Sequence, residues 1–243
     1  MTVEIVGCSV ADCVAITRAG ASRIELCGGI VAGGVTPSSA MYRLCRASTT
    51  LPIMVMIRPR EGGFFYSADE FDVMLREVDD FAEMGAHGVV FGILNENGMI
   101  DSRRMAELRR RAGSMEVMCH RAFDVTPDPL AALDALVDAG FDRVLSSGQA
   151  SEIVRGLDRL EAIMTHADGR IEVQPCEGIR PDNVAEVIRR LKPASIHLGP
   201  FLAVSDPTSS LGTEVNYGTH RATDEACVRG VVQIASDPRT ISG

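Results

Sequence analysis

The stretch Val117-Met118-Cys119-His120-Arg121-Ala122-Phe123-Asp124 starts as an apolar strand and runs out into an imidazole, a guanidinium and a carboxylate within five residues. A strand that ends in polar chemistry points to an α/β protein whose working residues gather where parallel strands stop. The same unit recurs on both sides of it. Short β-branched or aliphatic runs at about 3–8, 23–27, 53–58, 88–94, 115–121, 142–147, 171–176 and 195–199 read as strands. Helix-length segments at about 9–20, 37–47, 67–85, 101–112, 129–140, 151–167, 181–192 and 223–235 separate or follow them. The junctions Ala19-Gly20-Ala21, Met84-Gly85-Ala86 and Ala139-Gly140-Phe141 place glycine where a helix C-cap needs positive φ. Ser67-Ala68-Asp69-Glu70 has the capping-box pattern, and Pro181 stands near a first helical turn.

Strict alternation makes every connection a crossover, so the sheet is parallel and either closed or doubly wound. Eight units within 243 residues favour closure. The expectation is an α/β fold, a single-domain (β/α)₈ TIM barrel over residues 1–243. The segment from about Ala203 to Arg221, rich in Ser, Thr, Gly and Asp, reads as a long loop after the last strand, a rim or oligomer contact.

A net charge of −9 and a pI near 5.1 argue against a nucleic-acid surface, which needs a concentrated basic face. Arg103, Arg104, Arg109, Arg110 and Arg111 do cluster, but their spacing around Met105, Ala106 and Leu108 is that of a solvated helix face. No run of eighteen apolar residues exists, and the opening Met1-Thr2-Val3-Glu4-Ile5 has no basic region. A cytoplasmic protein without membrane span or signal peptide is expected. The seven cysteines are odd in number and lack CxxC spacing, so reduced thiols are expected too.

Glu4 and Glu25 interrupt otherwise apolar strands, as do Arg58 and His120, and a charge inside a barrel is costly unless paired. With Arg60 and Arg121 they form either a structural network or an active site at the top of the barrel. In an active site His120 is the general base or acid, and Glu4 or Glu25 orients it or acts as the second acid/base. Arg58 and Arg121 then bind an anion or a developing oxyanion. His197, within Ser195-Ile196-His197-Leu198-Gly199, reads first as a satisfied core histidine and second as a substrate contact. Ser146-Ser147-Gly148-Gln149, with Cys176-Glu177-Gly178-Ile179-Arg180, offers amides to an anion, or forms ordinary turns.

Cys8 and Cys27 end adjacent strands, so their sulfurs are placed to approach each other, and soft thiolates suit Cu(I). Met54 and Met56 read as lumen filler before thioether ligands. Cys119 is expected to face away from His120. A divalent cation on Glu4, Glu25 and His120 is a further arrangement that needs coordinates to test. No organic cofactor is expected.

Five motifs in order, Ser22-Arg23-Ile24-Glu25-Leu26-Cys27, Gly33-Gly34-Val35-Thr36-Pro37-Ser38, Met56-Ile57-Arg58-Pro59-Arg60, His120-Arg121-Ala122-Phe123-Asp124 and Val144-Leu145-Ser146-Ser147-Gly148, resemble the CutC family of copper homeostasis proteins over nearly the whole chain. The resemblance implies a cytoplasmic TIM barrel, often a homo-oligomer, that binds copper and contributes to copper homeostasis or tolerance. Glu4, Glu25, Arg58, His120, Arg121 and Asp124 match the family pattern, which adds Asp124 to the catalytic candidates. Two positions depart from it. Val6 stands where the family carries a first-strand cysteine, with Cys8 two residues further along, while Cys27 is retained. Pro175-Cys176-Glu177-Gly178 puts bulk and negative charge at a turn that is small and glycine-rich in the family.

Two functions are therefore expected. One is a copper homeostasis protein holding Cu(I) on Cys27 and Cys8. The alternative is a barrel enzyme of lyase, isomerase or hydrolase type, using acid/base chemistry on a small anionic or sugar-like substrate. Its substrate contacts would be Arg58, Arg60, Arg121, Ser147, Gly148 and His197.

Overall fold

A computed structural model of the chain describes residues 1–209, 212 and 214–241. Its elements run β1 (Thr2–Gly7), α1 (Val10–Arg18), β2 (Arg23–Leu26), α2 (Ser39–Ser48), β3 (Ile53–Met56), α3 (Ala68–Glu83), β4 (Gly88–Phe91) and α4 (Ser102–Ala112). They continue with β5 (Glu116–Cys119), α5 (Pro129–Asp138), β6 (Arg143–Ser146), α6 (Ile153–Ala167), β7 (Glu172–Pro175), α7 (Val184–Leu191) and β8 (Ser195–Leu198). A hairpin of β9 (Phe201–Ser205) and β10 (Thr219–Thr223) precedes α8 (Glu225–Ser236) and the short α9 (Pro238–Ile241).

Local chemistry explains the boundaries. The Ser67 hydroxyl accepts the Glu70 N–H while the Glu70 carboxylate accepts the Ser67 N–H, so two otherwise unpaired donors at the start of α3 are satisfied reciprocally. Asp128 caps α5 and Pro129 opens it. Gly20 and Gly140, at φ +86° and +76°, turn α1 and α5 back toward the next strand.

The strands form a parallel sheet in the order β7-β6-β5-β4-β3-β2-β1-β8. β7 and β8 lie side by side and complete the ring by contact and by the Ser195 hydroxyl donating to the Glu172 carboxylate, rather than by a ladder among the described residues. The single-domain barrel expected from the alternation is thus the observed architecture.

Side-chain parity divides the interior in two. Ile5, Ile24, Val55, Val89, Val117, Val144, Val173 and Ile196, one from each barrel strand, face the helices in the outer core. Their opposite-parity neighbours Val6, Met54, Met56, Val90, Met118 and Leu145 fill the lumen together with Cys27 and Cys176. Each such buried aliphatic side chain contributes about 1.5–3 kcal/mol. Cys119 lies in the outer core, opposite to His120, and both Met54 and Met56 are lumen filler, as their alternation implied. The strand starts carry the lumen's charge instead, with Glu116 and Arg143 paired at 2.7 Å and Arg23 on Glu4.

The stretch expected as one loop from 203 to 221 is in part a hairpin, with Ala203 opposite Arg221. Most of its side chains are exposed, so its sequence lacks the apolar alternation that marks a half-buried strand. Asp12, buried, anchors its return: one carboxylate oxygen accepts the Thr223 N–H at 2.8 Å and the other the Cys8 N–H at 3.0 Å. Among the described residues no helix is long and apolar enough to cross a membrane.

Candidate functional site

A cavity of about 450 Å³ opens at the C-terminal ends of the barrel strands. Its walls are mixed, with Val6, Ile30, Met56, Phe64 and Leu145 beside Glu25, Cys27, His120, Arg121, Cys176 and His197. Barrel enzymes and ligand-binding barrels place their sites at this face.

The floor is a buried cluster from three neighbouring strands. β1 lies between β2 and β8, with Glu4 opposite both Arg23 and His197 and Val6 opposite Glu25. Inward parity then points Glu4, Arg23, Glu25 and His197 into one space. The Glu4 carboxylate, 0% exposed, accepts from His197 Nδ1 at 2.7 Å and from Arg23 Nε. Burial pushes its pKa up, but the His197 hydrogen bond and the charges of His197 and Arg23 outweigh it and hold Glu4 down at about 2. Glu25 has a different environment. Its Oε2 stands 3.8 Å from His197 Nδ1 and has no hydrogen-bond partner among the described residues. Burial, reinforced by Glu4, pushes Glu25 up to about 7 against the pull of His197 and Arg23. Burial alone lowers His197, yet the two carboxylates leave it raised.

His120 does not join this cluster; the third member is His197. At the start of the turn after β5, His120 Nδ1 accepts the Ala122 N–H at 3.1 Å, which leaves the proton on Nε2. That Nε2 is buried without a partner among the described residues. Burial, then the Arg58 charge, hold the imidazole at about 3, so it is neutral near pH 7. Such a neutral ring presents its Nε2–H as a hydrogen-bond donor. The ring lies over Gly92, where any Cβ would collide with it, and against Phe64 at 4.9 Å between centroids.

The arginines expected to clamp an anion are mostly engaged. Arg58 donates to the carbonyls of Ala32 (3.1 Å), Gly34 (2.8 Å) and Gly62 (2.7 Å), tying together the loops that follow β2 and β3. Arg60 does not line the cavity; it serves the Glu70 carboxylate and the carbonyls of Glu61, Gly63 and Phe65. Arg121 does line the cavity, with its guanidinium paired to Asp124 and Glu177 and donating to the Ser147 hydroxyl at 3.0 Å. Asp124 is the hub of that turn. It accepts from the Ser146 hydroxyl (2.7 Å), the Ser147 N–H (3.0 Å), the Gln149 N–H (3.2 Å) and Arg121 Nε (3.0 Å). Ser147 and Gly148 belong to the same turn and lie outside the cavity lining. Gly148, at φ +70°, is needed because a Cβ there would overlap the Gly156 carbonyl. Through these contacts Asp124 holds the turn together. Asp124→Asn, which replaces an acceptor oxygen by a donor facing these N–H and O–H groups, should cost about 2 kcal/mol by denaturant unfolding; a change below about 0.5 kcal/mol would contradict that role.

Beside the cavity two sulfurs lie close together. Cys8 Sγ and Cys27 Sγ are 3.4 Å apart, Cys8 half-buried and Cys27 buried. The hydrogen bond to Cys8, then burial, keep the Cys27 thiol well above the ordinary range. Met56 shares with Cys27 the lumen cluster against which Cys8 packs.

Sequence reasoning gave the Arg23 side chain no role, read Cys176 only as part of an anion-binding turn, and ranked His197 below His120. Parity was the available signal for Arg23, which shares a face with Glu25 and Cys27. For His197 the signal was barrel closure, which sets β8 against β1.

The sequence profile of the CutC family matches residues 1–200 and stops just before β9. CutC family proteins of Treponema denticola (40% identity over 216 residues, 89% of this chain and 88% of that protein) and Agrobacterium fabrum (41% over 239 residues, 97% and 94%) are similar in sequence. In structure the chain resembles a CutC protein of Streptococcus agalactiae, provisionally named for copper homeostasis, with a TM-score of 0.76 and 28% identity over 82% of this chain and 98% of that one. N-(5'-phosphoribosyl)anthranilate isomerase from Pyrococcus furiosus, with a TM-score of 0.54 and 15% identity over 100% and 98% of the two chains, shares the fold alone.

Proposed function

The chain belongs to the CutC family, and on that premise we propose that it serves copper homeostasis by taking Cu(I) onto Cys8 and Cys27. The observation that carries the reading is the 3.4 Å separation of the two sulfurs, contributed by the ends of adjacent strands at the barrel mouth. Thiolates are the ligands Cu(I) prefers, and the neighbouring Met56 adds a soft thioether. The displaced cysteine keeps the geometry workable, because Cys8 and Val6 share the inward parity of β1. Uptake displaces the thiol protons. The copper homeostasis name of the Streptococcus agalactiae neighbour supports the same reading. A cytoplasmic setting suits seven free cysteines.

The experiment is titration of the purified, reduced protein with Cu(I) against a competing chelator. One tightly bound equivalent is expected, and failure to compete for copper would overturn the reading.

A second activity is favoured by one observation, the carboxyl and imidazole groups of Glu25 and His197 at the floor of the 450 Å³ cavity. It is acid/base chemistry on a small anionic or sugar-like substrate, in which the neutral His120 donates a hydrogen bond from Nε2 and Arg121 supplies positive charge. Sugar phosphates incubated with the protein in D₂O should show carbon-bound deuterium by NMR, lost in Glu25→Gln. A panel with no exchange above the uncatalysed rate would count against it.

A further inference from the structure

We propose that Glu4, Glu25 and His197 form a second metal site, distinct from the thiol pair, that holds a divalent first-row cation such as Zn²⁺, Mn²⁺ or Co²⁺. One ligand atom from each of the three lies within 4.8 Å of the others. His197 Nδ1 stands 2.7 Å from Glu4 Oε1 and 3.8 Å from Glu25 Oε2, and none of the three side chains is more than one-tenth exposed. Two carboxylate oxygens and one imidazole nitrogen are a hard-to-borderline set, matched to these cations and not to Cu(I).

The orphaned oxygen is the independent sign. Glu25 Oε2 is buried without a partner among the described residues and faces the imidazole, and buried carboxylate oxygens in native proteins are ordinarily satisfied. A cation shared with Glu4 and His197 satisfies it. The site also has the surroundings of a metal centre. Arg23 Nε holds the Glu4 carboxylate from outside the cluster, as hydrogen-bond donors behind metal-ligating carboxylates orient them. Glu25 and His197 line the cavity, so three protein ligands leave a further position facing it, the arrangement of a metal site open to exogenous ligands.

Charge sets the class of that ligand. Two carboxylates and the Arg23 guanidinium leave a net −1, and a divalent cation turns this to +1. An anionic or hydroxyl oxygen entering from the cavity neutralises it. On β2 the inward residue after Glu25 is Cys27, so the hard site lies one step below the soft one and the two are separable by mutation.

The test is titration of metal-free Cys8→Ser, Cys27→Ser protein with Co²⁺ and then Zn²⁺. One equivalent is expected, with visible cobalt d–d bands and no thiolate-to-cobalt charge-transfer band. Glu25→Gln or His197→Gln added to that background should weaken binding by roughly a hundredfold, and Zn²⁺ should raise the melting temperature of the parent but not of these variants. The wild-type chain and its Glu25→Gln variant give the same comparison should the double-serine protein misfold. Absence of stoichiometric binding, or an affinity unchanged by both substitutions, would overturn the proposal. Because the thiols are removed, neither result depends on whether the Cu(I) reading holds.

Discussion

Cys8→Ser, Cys27→Ser protein should lose stoichiometric Cu(I) binding, its affinity falling by more than about a thousandfold, or about 4 kcal/mol. Serine keeps the shape of each side chain and replaces a soft sulfur by a hard oxygen for which Cu(I) has little affinity. What remains at the mouth is the Met56 thioether and Cys176, a single buried thiol. Neither offers a ready thiolate pair. Each single variant should fall between wild type and the double variant, because one thiolate persists. Folding is a small confounder: Cys8 is half-buried, and the hydroxyl that Cys27→Ser introduces adds one polar atom beside Gly34. Circular dichroism and melting of the variant separate a lost ligand from a lost fold. Copper bound as tightly by the double variant would place the ligands elsewhere and remove the thiol account.

The barrel was readable from the chain because the alternation of strand and helix repeated eight times. The strand and helix ranges expected from apolar spacing agree with the observed elements to within a few residues, for example about 129–140 against Pro129–Asp138 for α5 and about 195–199 against Ser195–Leu198 for β8. The hairpin after β8 was not readable, since exposed Thr, His and Arg residues carry no parity signal. The chemistry was readable by residue type and not by partner. Glu4, Glu25 and Cys27 were recognisable as inward residues of apolar strands. Which groups they meet depends on the stagger around the ring, and a closed barrel sets β8 beside β1, so Glu4 finds His197. The histidine with the more polar sequence context, His120, is engaged by its own turn, and the one in the apolar strand sits at the floor. Asp124, Ser147 and Gly148 show the same lesson at the rim. Their polarity marked a place where backbone donors needed satisfying.

Arg23→Met should cost about 3–5 kcal/mol of folding stability, because it leaves the Glu4 carboxylate buried with one cationic partner removed. Glu4 is 0% exposed and Arg23 only 8%, so water cannot replace the guanidinium cheaply. Glu4 stays ionised, its pKa held down at about 2, only because His197 and Arg23 together outweigh the penalty of burial. With methionine at 23, the carboxylate must either take a proton or draw one onto His197, and each route gives up part of the pairing that folding now gains. A double-mutant cycle with Glu4→Gln distinguishes this from lost packing by the arginine stem. Glu4→Gln alone strands Arg23, whose Nη2 already lacks a partner among the described residues, while the double variant replaces two mismatched charges by neutral groups. The combined cost should therefore be smaller than the sum of the single costs by at least about 1 kcal/mol. Additive costs, read from chemical unfolding of the four proteins, would mean that the two charges are stabilised independently. Arg23 would then not be what holds Glu4, and through Glu4 the His197 imidazole, in place at the cavity floor.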